Sequence, residues 1–200
     1  MNLLIISSHP DDIELGVGAI IHKLHSKHKF HGLILTSGAL RGKEKNRESA
    51  AIASAKILGY SVNFARLEDG AFTEVEAEKA ILKCIKEIEP DMVIGHSKND
   101  LHRDHINAYI ATVSASRKIK NVLFFEGPYS RGFNPNFYVS VSKENLEAKI
   151  RALNEHSKSL TEKPDYLTSE YNISLAKVRG MPIRSTYAEG FEVGILCDFI

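Results

Sequence analysis

Histidine and carboxylate side chains are concentrated in two short segments of this 200-residue sequence. The first segment is residues 7–14 (SSHPDDIE), in which one imidazole stands beside three carboxylates. The second is residues 96–105 (HSKNDLHRDH), which holds three imidazoles and two carboxylates. Two neutral imidazoles and one carboxylate are enough to bind Zn²⁺ and leave a coordination position open for water. The segments therefore predict a catalytic metal site.

Each of these polar residues has a role that its chemistry permits. The expected metal ligands are two imidazoles and one carboxylate, those of His9, Asp12 and His105. A metal held by such a set lowers the pKa of its bound water toward ~7 and polarises a carbonyl oxygen. Asp11 adjoins a ligand but points elsewhere along the chain, so we expect it to accept a proton from that water. His102 is expected to stabilise the oxyanion or protonate the leaving group, and Asp104 to orient His102.

Strands of a parallel sheet are predicted to position both segments. Continuous apolar runs, typical of strands buried on both faces, occur at residues 3–6, 31–36, 61–65, 91–95 and 121–125. Helical periodicity occurs between them, at residues 14–28, 44–58, 74–89 and 102–117. This alternation predicts right-handed βαβ crossovers and a three-layer α/β/α fold with a mostly parallel central sheet. Such sheets bind ligands outside the carboxyl ends of their strands, so both segments are expected to face one crevice.

The pattern changes after residue 127. Residues 129–136 (YSRGFNPN) predict a turn-rich loop, and the elements expected after it are a strand, a helix and a last strand, at residues 137–141, 144–155 and 191–196. No repeat, low-complexity tract or linker divides the sequence. We therefore expect residues 1–200 to form a single domain.

The composition is that of an ordinary globular protein. Hydrophobic residues make up 43% and charged residues 26% of the sequence, which excludes the disordered, collagenous and membrane-spanning classes. The formal net charge is +1, so no overall field attracts nucleic acid or anionic lipid. Cys84 and Cys197 lie too far apart for a zinc ribbon or a redox motif. The amino terminus lacks the basic region and cleavage site of a signal peptide, so we expect a cytoplasmic protein.

Two motifs resemble a known family of enzymes. Residues 9–12 (HPDD) followed by residues 102–105 (HRDH) resemble the zinc-dependent N-acetylglucosaminyl deacetylases of the PIG-L, or LmbE-like, family. Weaker likenesses extend over nearly the whole chain, at residues 36–38 (TSG), Arg47, residues 68–70 (EDG) and residues 187–189 (YAE).

The resemblance implies a Rossmann-like fold and one Zn²⁺ ion held by the expected ligands, His9, Asp12 and His105. It implies that Asp11 is the general base and that His102 is its electrophilic or acid partner. It also implies that Arg47 and Asp69 reach the sugar or its substituent, and that chains assemble as trimers or hexamers. Fe²⁺ or Co²⁺ could occupy the same ligands in place of zinc.

Other interpretations of these residues stay open. Adjacent aspartates before a helix often form an N-cap, and residues 102–105 are consistent with a solvated helix start. Neither interpretation explains His9. Two histidines and a carboxylate also form the facial triad of non-haem iron oxygenases, and a sugar-binding module would keep the metal without hydrolysis. Because Asp11 and His102 serve hydrolysis, we predict a metal-dependent amide hydrolase that deacetylates an N-acetylated amino sugar or a glycoside of one.

Overall fold

The computed structural model describes residues 1–39, 47–158 and 160–197, which form a seven-stranded sheet with helices on both faces. The strands are β1 (Asn2–Ser7), β2 (Lys29–Thr36), β3 (Ser61–Leu67), β4 (Met92–His96), β5 (Val122–Phe125), β6 (Phe137–Ser140) and β7 (Ala188–Ile195). The helices are α1 (Asp12–Leu24), α2 (Arg47–Leu58), α3 (Glu74–Ile88), α4 (Arg103–Ala115), α5 (Lys143–Ser157) and α6 (Ser169–Gly180).

The strand order in the sheet is β3-β2-β1-β4-β5-β7-β6. Strands β1 to β5 pair in parallel, whereas β7 runs antiparallel to both β5 and β6. The predicted α/β/α fold with a mostly parallel sheet is therefore confirmed. The order reverses between β1 and β4, and sheets of this class bind ligands at the carboxyl ends of the strands beside such a reversal.

Two hydrophobic cores cover the two faces of the sheet. Alternate residues of β1 point to opposite faces, as the period of a strand requires. Leu3 and Ile5 pack with residues of α1, α2 and α5, whereas Leu4 and Ile6 pack with residues of α3 and α4. Because both faces are covered, β1 is apolar along its length and its first polar side chains appear where it ends.

A buried carboxylate ties the first turn of α1 to its neighbours. Glu14 is fully buried and accepts hydrogen bonds from the hydroxyls of Ser54 and Tyr60, both at 2.5 Å. Nε2 of His156, from α5, lies 3.1 Å from the same carboxylate. The helix turn that begins at Asp12 is thus fixed against α2 and α5.

A buried ion pair holds the middle of α1. Glu189, at the start of β7, accepts hydrogen bonds from the backbone N–H groups of Ala19 and Ile20 at 3.1 and 2.9 Å. Lys149, from α5, donates to the backbone carbonyl of Leu15 at 2.6 Å and to Glu189 at 2.8 Å. Lys149 and Glu189 are only 4% and 6% exposed, so each charge depends on the other and on the backbone of α1.

Some helices differ from the sequence-based prediction. Helix α1 begins two residues before the predicted start, and α4 begins at Arg103 because His102 is its N-cap. The predicted start of the second helix, at residue 44, lies outside the described residues. Helix α6 was not predicted, because its buried residues are Asn172, Ala176 and Gly180 rather than an apolar stripe. Among the described residues, no helix is long and apolar enough to cross a membrane.

Candidate active site

The loop that follows β1 is joined directly by hydrogen bonds to the last residue of β4 and to the first turn of α4. The backbone N–H of Ser8 donates to Nε2 of His96 at 3.0 Å, and the hydroxyl of Ser8 donates to the backbone carbonyl of Asp104 at 3.0 Å. The loops that follow β1 and β4 lie at the carboxyl ends of neighbouring parallel strands. The sheet thus brings the two polar segments into one crevice, as the sequence predicts.

The three expected metal ligands face one another. Nδ1 of His9 lies 3.2 Å from Nε2 of His105, which lies 3.4 Å from Oδ1 of Asp12. Oδ2 of Asp12 lies 3.5 Å from the same Nδ1. Ligand atoms at the corners of a tetrahedron around Zn²⁺ lie about 3.3–3.6 Å apart when the bonds are about 2.0–2.2 Å long. The three distances involve both carboxylate oxygens of Asp12, so the three side chains lie near one another but do not form a single preformed triangle of ligand atoms. Among the described residues, the sets of side chains whose ligand atoms all lie within 4.8 Å of one another are His9 with His102 and His105, Asp12 with His96 and His105, and His9 with Asp69 and Asp104.

A carboxylate lies behind each of the two imidazoles. Oδ2 of Asp104 lies 3.2 Å from Nε2 of His9, and Oδ2 of Asp100 lies 3.2 Å from Nδ1 of His105. Histidines that bind metals usually present their second ring nitrogen to a carboxylate or a carbonyl, which fixes the tautomer and the ring orientation. This arrangement leaves Nδ1 of His9 and Nε2 of His105 as the two nitrogens available to a metal.

The expected contact between the Asp104 carboxylate and the His102 ring is wrong. Nδ1 of His102 instead accepts the backbone N–H of Asp104 at 3.2 Å, because His102 is the N-cap of α4. The Asp104 carboxylate accepts the N–H of Gly70 at 2.8 Å and faces His9. Since Nδ1 of His102 is an acceptor, a neutral His102 ring carries its proton on Nε2.

The pKa values show which charge the site favours. Burial lowers the pKa of His9, but its hydrogen bonds with Asp104, Asp12 and Asp69 outweigh burial and raise that pKa well above its usual value. Burial raises the pKa of Asp12, but the charges of His105 and its other histidine neighbours hold that pKa well below its usual value. The carboxylates therefore favour a positive charge where the His9 and His105 rings meet, which is what a bound cation would supply.

Asp11 lies beside the ligands and faces a different partner. It is the N-cap of α1, with a φ of 109°. Nη2 of Arg47 donates to Oδ2 of Asp11 at 3.0 Å and to the backbone carbonyl of Pro10 at 2.6 Å. Burial raises the pKa of Asp11 to about 6, although the charge of Arg47 opposes this shift. Asp11 is thus a buried carboxylate that is held away from the three expected ligands.

A cavity of about 330 Å³ opens over these residues. Seven of the eight predicted site residues line it, namely His9, Asp11, Asp12, Arg47, Asp69, His102 and His105. The eighth, Asp104, lies behind His9 and is fully buried. Asp69 also contacts His9, with Oδ1 at 3.4 Å from Nε2. The remaining wall includes Leu15, Pro128, Tyr129 and Tyr166.

Sequence reasoning gave no role to several residues that the structure places in or beside the site, among them Asp100, His96 and Tyr166. Asp100 contacts His105 and stands in the same polar segment, so its carboxylate could have been assigned from its position. His96 stacks on the His105 ring with centroids 4.1 Å apart, and burial together with the charge of His105 lowers its pKa to about 4. Tyr166 lies in a 3₁₀ turn, Asp165–Leu167, between α5 and α6, and its surrounding sequence carries no signal for a site.

Comparison with known proteins identifies one family and two related sequences. Residues 4–116 match the PIG-L family, GlcNAc-PI de-N-acetylase. An uncharacterized deacetylase of Escherichia coli K12, YaiS, is 30% identical over 165 residues, which cover 77% of this chain and 89% of that protein. The diacetylchitobiose deacetylase of Thermococcus kodakarensis is 28% identical over 234 residues, covering 98% of this chain and 86% of that protein.

A solved structure shows the same fold. The crystal structure of the conserved protein TT1542 from Thermus thermophilus has a TM-score of 0.86 and 22% sequence identity, and the match covers 99% of this chain and 96% of that chain. The family match spans more than half of this chain and includes both histidine and aspartate motifs. The chain therefore belongs to the PIG-L family of GlcNAc-PI de-N-acetylases, as its two motifs predicted.

Proposed function

We propose that this protein removes the acetyl group from an N-acetylated amino sugar or its glycoconjugate by zinc-dependent hydrolysis. The observation that carries this proposal is the proximity of His9, Asp12 and His105, with contacts of 3.2–3.5 Å between their ligand atoms, in the lining of a cavity that Asp11 also lines. Three protein ligands leave a coordination position for water, as catalytic zinc sites require. When bound, zinc supplies Lewis-acid chemistry, because it lowers the pKa of a bound water and polarises a carbonyl oxygen.

Asp11 is the residue that accepts the proton of the attacking water. Its carboxylate lines the cavity and is held by Arg47, apart from the three expected ligands. With a pKa raised to about 6, the carboxylate is ionised at neutral pH and is still basic enough to take a proton. The same proton is then available to the nitrogen of the leaving amine. Hydrolysis of the amide releases acetate and the free amino sugar.

His102 supports the oxygen of the acetyl carbonyl. Burial and the charges of His9 and His105 lower the pKa of His102, so its ring is neutral at neutral pH. Because Nδ1 accepts the N–H of Asp104, the Nε2–H group is left to donate to the oxygen on which negative charge develops. Removing a donor of this kind typically lowers kcat by about 10²–10³-fold.

Arg47 and Asp69 give the cavity the polar groups that a sugar requires. Both line the cavity, and their planar charged groups can bond to sugar hydroxyls. A relative that is named diacetylchitobiose deacetylase and is similar to 98% of this chain supports an acetylated sugar as the substrate. Arg47 and Asp69 are therefore expected to orient the sugar in the cavity.

A screen of purified protein against N-acetylated sugars tests the proposal. N-acetylglucosamine, N-acetylgalactosamine and N,N′-diacetylchitobiose are incubated with the zinc-loaded protein, and acetate and free amine are both measured. We expect the two products in equal amounts, with and without dioxygen. Turnover that requires dioxygen would instead indicate an iron oxygenase. Sugar binding without acetate release under any metal would indicate a binding module.

We further propose that residues 1–200 form a single domain that assembles as a trimer or hexamer in the cytoplasm. Support for the assembly comes from the family resemblance alone. Light scattering coupled to size-exclusion chromatography measures the number of subunits and tests it.

A further inference from the structure

One wall of the cavity is aromatic and takes no part in the proposed hydrolysis. Tyr129 and Tyr166 form this wall together with Pro128 and Leu15. The two tyrosine rings are in T-shaped contact, with centroids 6.0 Å apart. Tyr129 is 47% exposed and Tyr166 is half-buried, so the second ring lies deeper in the fold.

The fold fixes the position of Tyr166. The residue lies in a single 3₁₀ turn, Asp165–Leu167, between α5 and α6. Its ring packs against an apolar cluster formed by Leu15, Leu153 and Leu167. Its backbone carbonyl accepts a hydrogen bond from Nδ2 of Asn172 at 2.9 Å. Because Leu15 belongs to α1, the ring is anchored to the same helix that carries Asp12 at its first position.

The hydroxyl group of Tyr166 is available to a ligand. Across residues 1–39, 47–158 and 160–197, no group accepts a hydrogen bond from it. Burial raises the pKa of Tyr166 well above its usual value, and the neighbouring carboxylate of Asp11 adds to this shift. The hydroxyl therefore stays protonated at neutral pH, and it can donate a hydrogen bond.

The surface of a pyranose ring is complementary to this aromatic wall. One face of such a ring presents C–H groups, which pack on an aromatic side chain, and its edge presents hydroxyls. Tyrosine combines an apolar ring with a polar tip, so one side chain can contact both parts. Arg47 and Asp69 belong to the polar part of the cavity lining. The aromatic wall is therefore the apolar surface that a sugar ring can contact.

We propose that Tyr166 is a specificity-determining residue, which binds the sugar ring of the substrate through its aromatic face and donates a hydrogen bond to the sugar through its hydroxyl. This inference rests on the proposed function, since it assumes that the acetamido group is attached to a ring. Tyr166 acts on binding of the ring and leaves the chemistry of the amide to Asp11 and His102. Its loss should therefore raise KM for a sugar more than it lowers kcat.

The experiment compares a cyclic and an acyclic substrate. N-acetylglucosamine carries the acetamido group on a ring, whereas N-acetylethanolamine carries it on a two-carbon chain. For Tyr166→Ala we expect KM for N-acetylglucosamine to rise about 10- to 100-fold, because ring contact and hydrogen bond are both lost. For Tyr166→Phe, which keeps the ring, we expect a rise of about 3- to 10-fold. Neither variant should change kcat/KM for N-acetylethanolamine by more than about twofold, since that substrate lacks the ring.

Controls separate binding from folding. Tyr109→Phe removes a hydroxyl from a tyrosine of α4 that packs on Phe124 outside this cavity, and it should leave both substrates unaffected. All variants should retain wild-type metal content and far-ultraviolet circular dichroism. If Tyr166→Ala lowers kcat/KM for both substrates by the same factor, Tyr166 serves the reaction or the fold, and the proposal is wrong.

A binding measurement keeps this inference distinct from the proposed deacetylation. Saturation-transfer NMR detects N-acetylglucosamine bound to the wild type and to Tyr166→Ala, whether or not acetate is released. If no substrate is deacetylated but the wild type binds the sugar and the variant does not, the proposed function fails and the role of Tyr166 stands. Equal binding by the two proteins, or binding by neither, would overturn the role of Tyr166.

Discussion

Oδ2 of Asp104 lies 3.2 Å from Nε2 of His9, while Nδ1 of the same ring lies 3.2 Å from His105. The imidazole of His9 thus stands between a carboxylate and the ring of His105, another proposed ligand. A carboxylate in this position fixes the ring and raises the basicity of the nitrogen that binds the metal. Asp104 is therefore a positioning residue for His9, and it contacts His102 through its backbone.

We expect Asp104→Asn to weaken metal binding. The amide has nearly the shape of the carboxylate but no charge, so the zinc dissociation constant should rise by about 10- to 100-fold. Competition with a chromophoric chelator measures this constant without reference to activity. The matched control is Asp91→Asn, because Asp91 accepts a hydrogen bond from Asn2 near the opposite ends of the strands. An unchanged dissociation constant for Asp104→Asn would contradict the assigned role.

Replacements of Asp11, Asp12 and His102 should have different effects on metal content and on kcat. Asp12→Ala removes a proposed ligand, so metal content and activity should fall together. Asp11→Asn and His102→Ala should keep about one metal ion per chain while kcat falls by about 10²–10⁴-fold, because they remove a proton acceptor and an oxyanion donor. Metal analysis and kcat on the same samples decide the outcome. A metal-free Asp11→Asn beside a metal-loaded Asp12→Ala would exchange the two roles.

Removal of the metal should abolish turnover and lower stability. The ligand atoms of His9 and His105 meet only in the folded chain, so the metal binds the native state preferentially. At a free zinc concentration of about 100 times the dissociation constant, binding should stabilise the fold by about 2.7 kcal/mol. Thermal unfolding with zinc and with a chelator measures this difference, and zinc should restore the activity that chelation removes. Full activity in a metal-free sample would exclude the metal mechanism.

Arg47 and Asp69 should respond differently to alanine. Asp69 lines the cavity and contacts His9 rather than Asp11, so Asp69→Ala should raise KM for the sugar more than it lowers kcat. Arg47 also holds Asp11, so Arg47→Ala should lower kcat in addition. Arg66→Ala is the control, because this exposed arginine pairs with Glu48 at the surface and should change neither constant. If both cavity variants kept the wild-type kcat/KM, the proposed role of Arg47 and Asp69 in binding the sugar would be wrong.

Lys149 should matter for stability rather than for the reaction. Lys149→Met leaves Glu189 buried without its ion-pair partner, which typically destabilises a protein by about 3–5 kcal/mol. Denaturant unfolding of Lys149→Met and of Lys143→Met compares a buried lysine with one whose side chain is 78% exposed. The exposed replacement should stay within about 0.5 kcal/mol of the wild type. Equal effects of the two replacements would show that the buried pair does not stabilise α1.

The sequence predicts correctly those parts of the site whose position depends only on the direction of the strands. His9 and His105 follow two parallel strands, and the carboxyl ends of such strands lie together whatever the details of packing. The partner of Asp104 is a different case. Residues of a helix turn by about 100° each, but His102 has an extended backbone, with φ −82° and ψ 121°, and stands outside α4. As the N-cap of α4, His102 directs Nδ1 to the backbone N–H of Asp104, and the Asp104 carboxylate faces His9 instead, which the order of residues alone does not show.

Contacts that depend on tertiary packing leave no local pattern in the sequence. Tyr166 reaches the cavity because Leu167 packs against Leu15, more than a hundred residues away in the chain. Helix α6 forms although the buried side of its surface carries Asn172 and Ala176 in place of large apolar residues. The sequence-based prediction consequently includes the polar part of the cavity and misses its aromatic wall.

At Asp11, whose φ is 109°, the residue that suits the proposed reaction is not the residue that gives the most stable fold. A residue with a side chain rarely adopts this backbone conformation, and holding it there costs about 1–3 kcal/mol of folding free energy. Glycine would adopt it with little strain but would carry no carboxylate. Laboratory evolution that selects only for resistance to heat should therefore favour replacement of Asp11 by glycine. Selection for growth that requires the deacetylated amino sugar should retain the aspartate, if Asp11 has the catalytic role proposed for it.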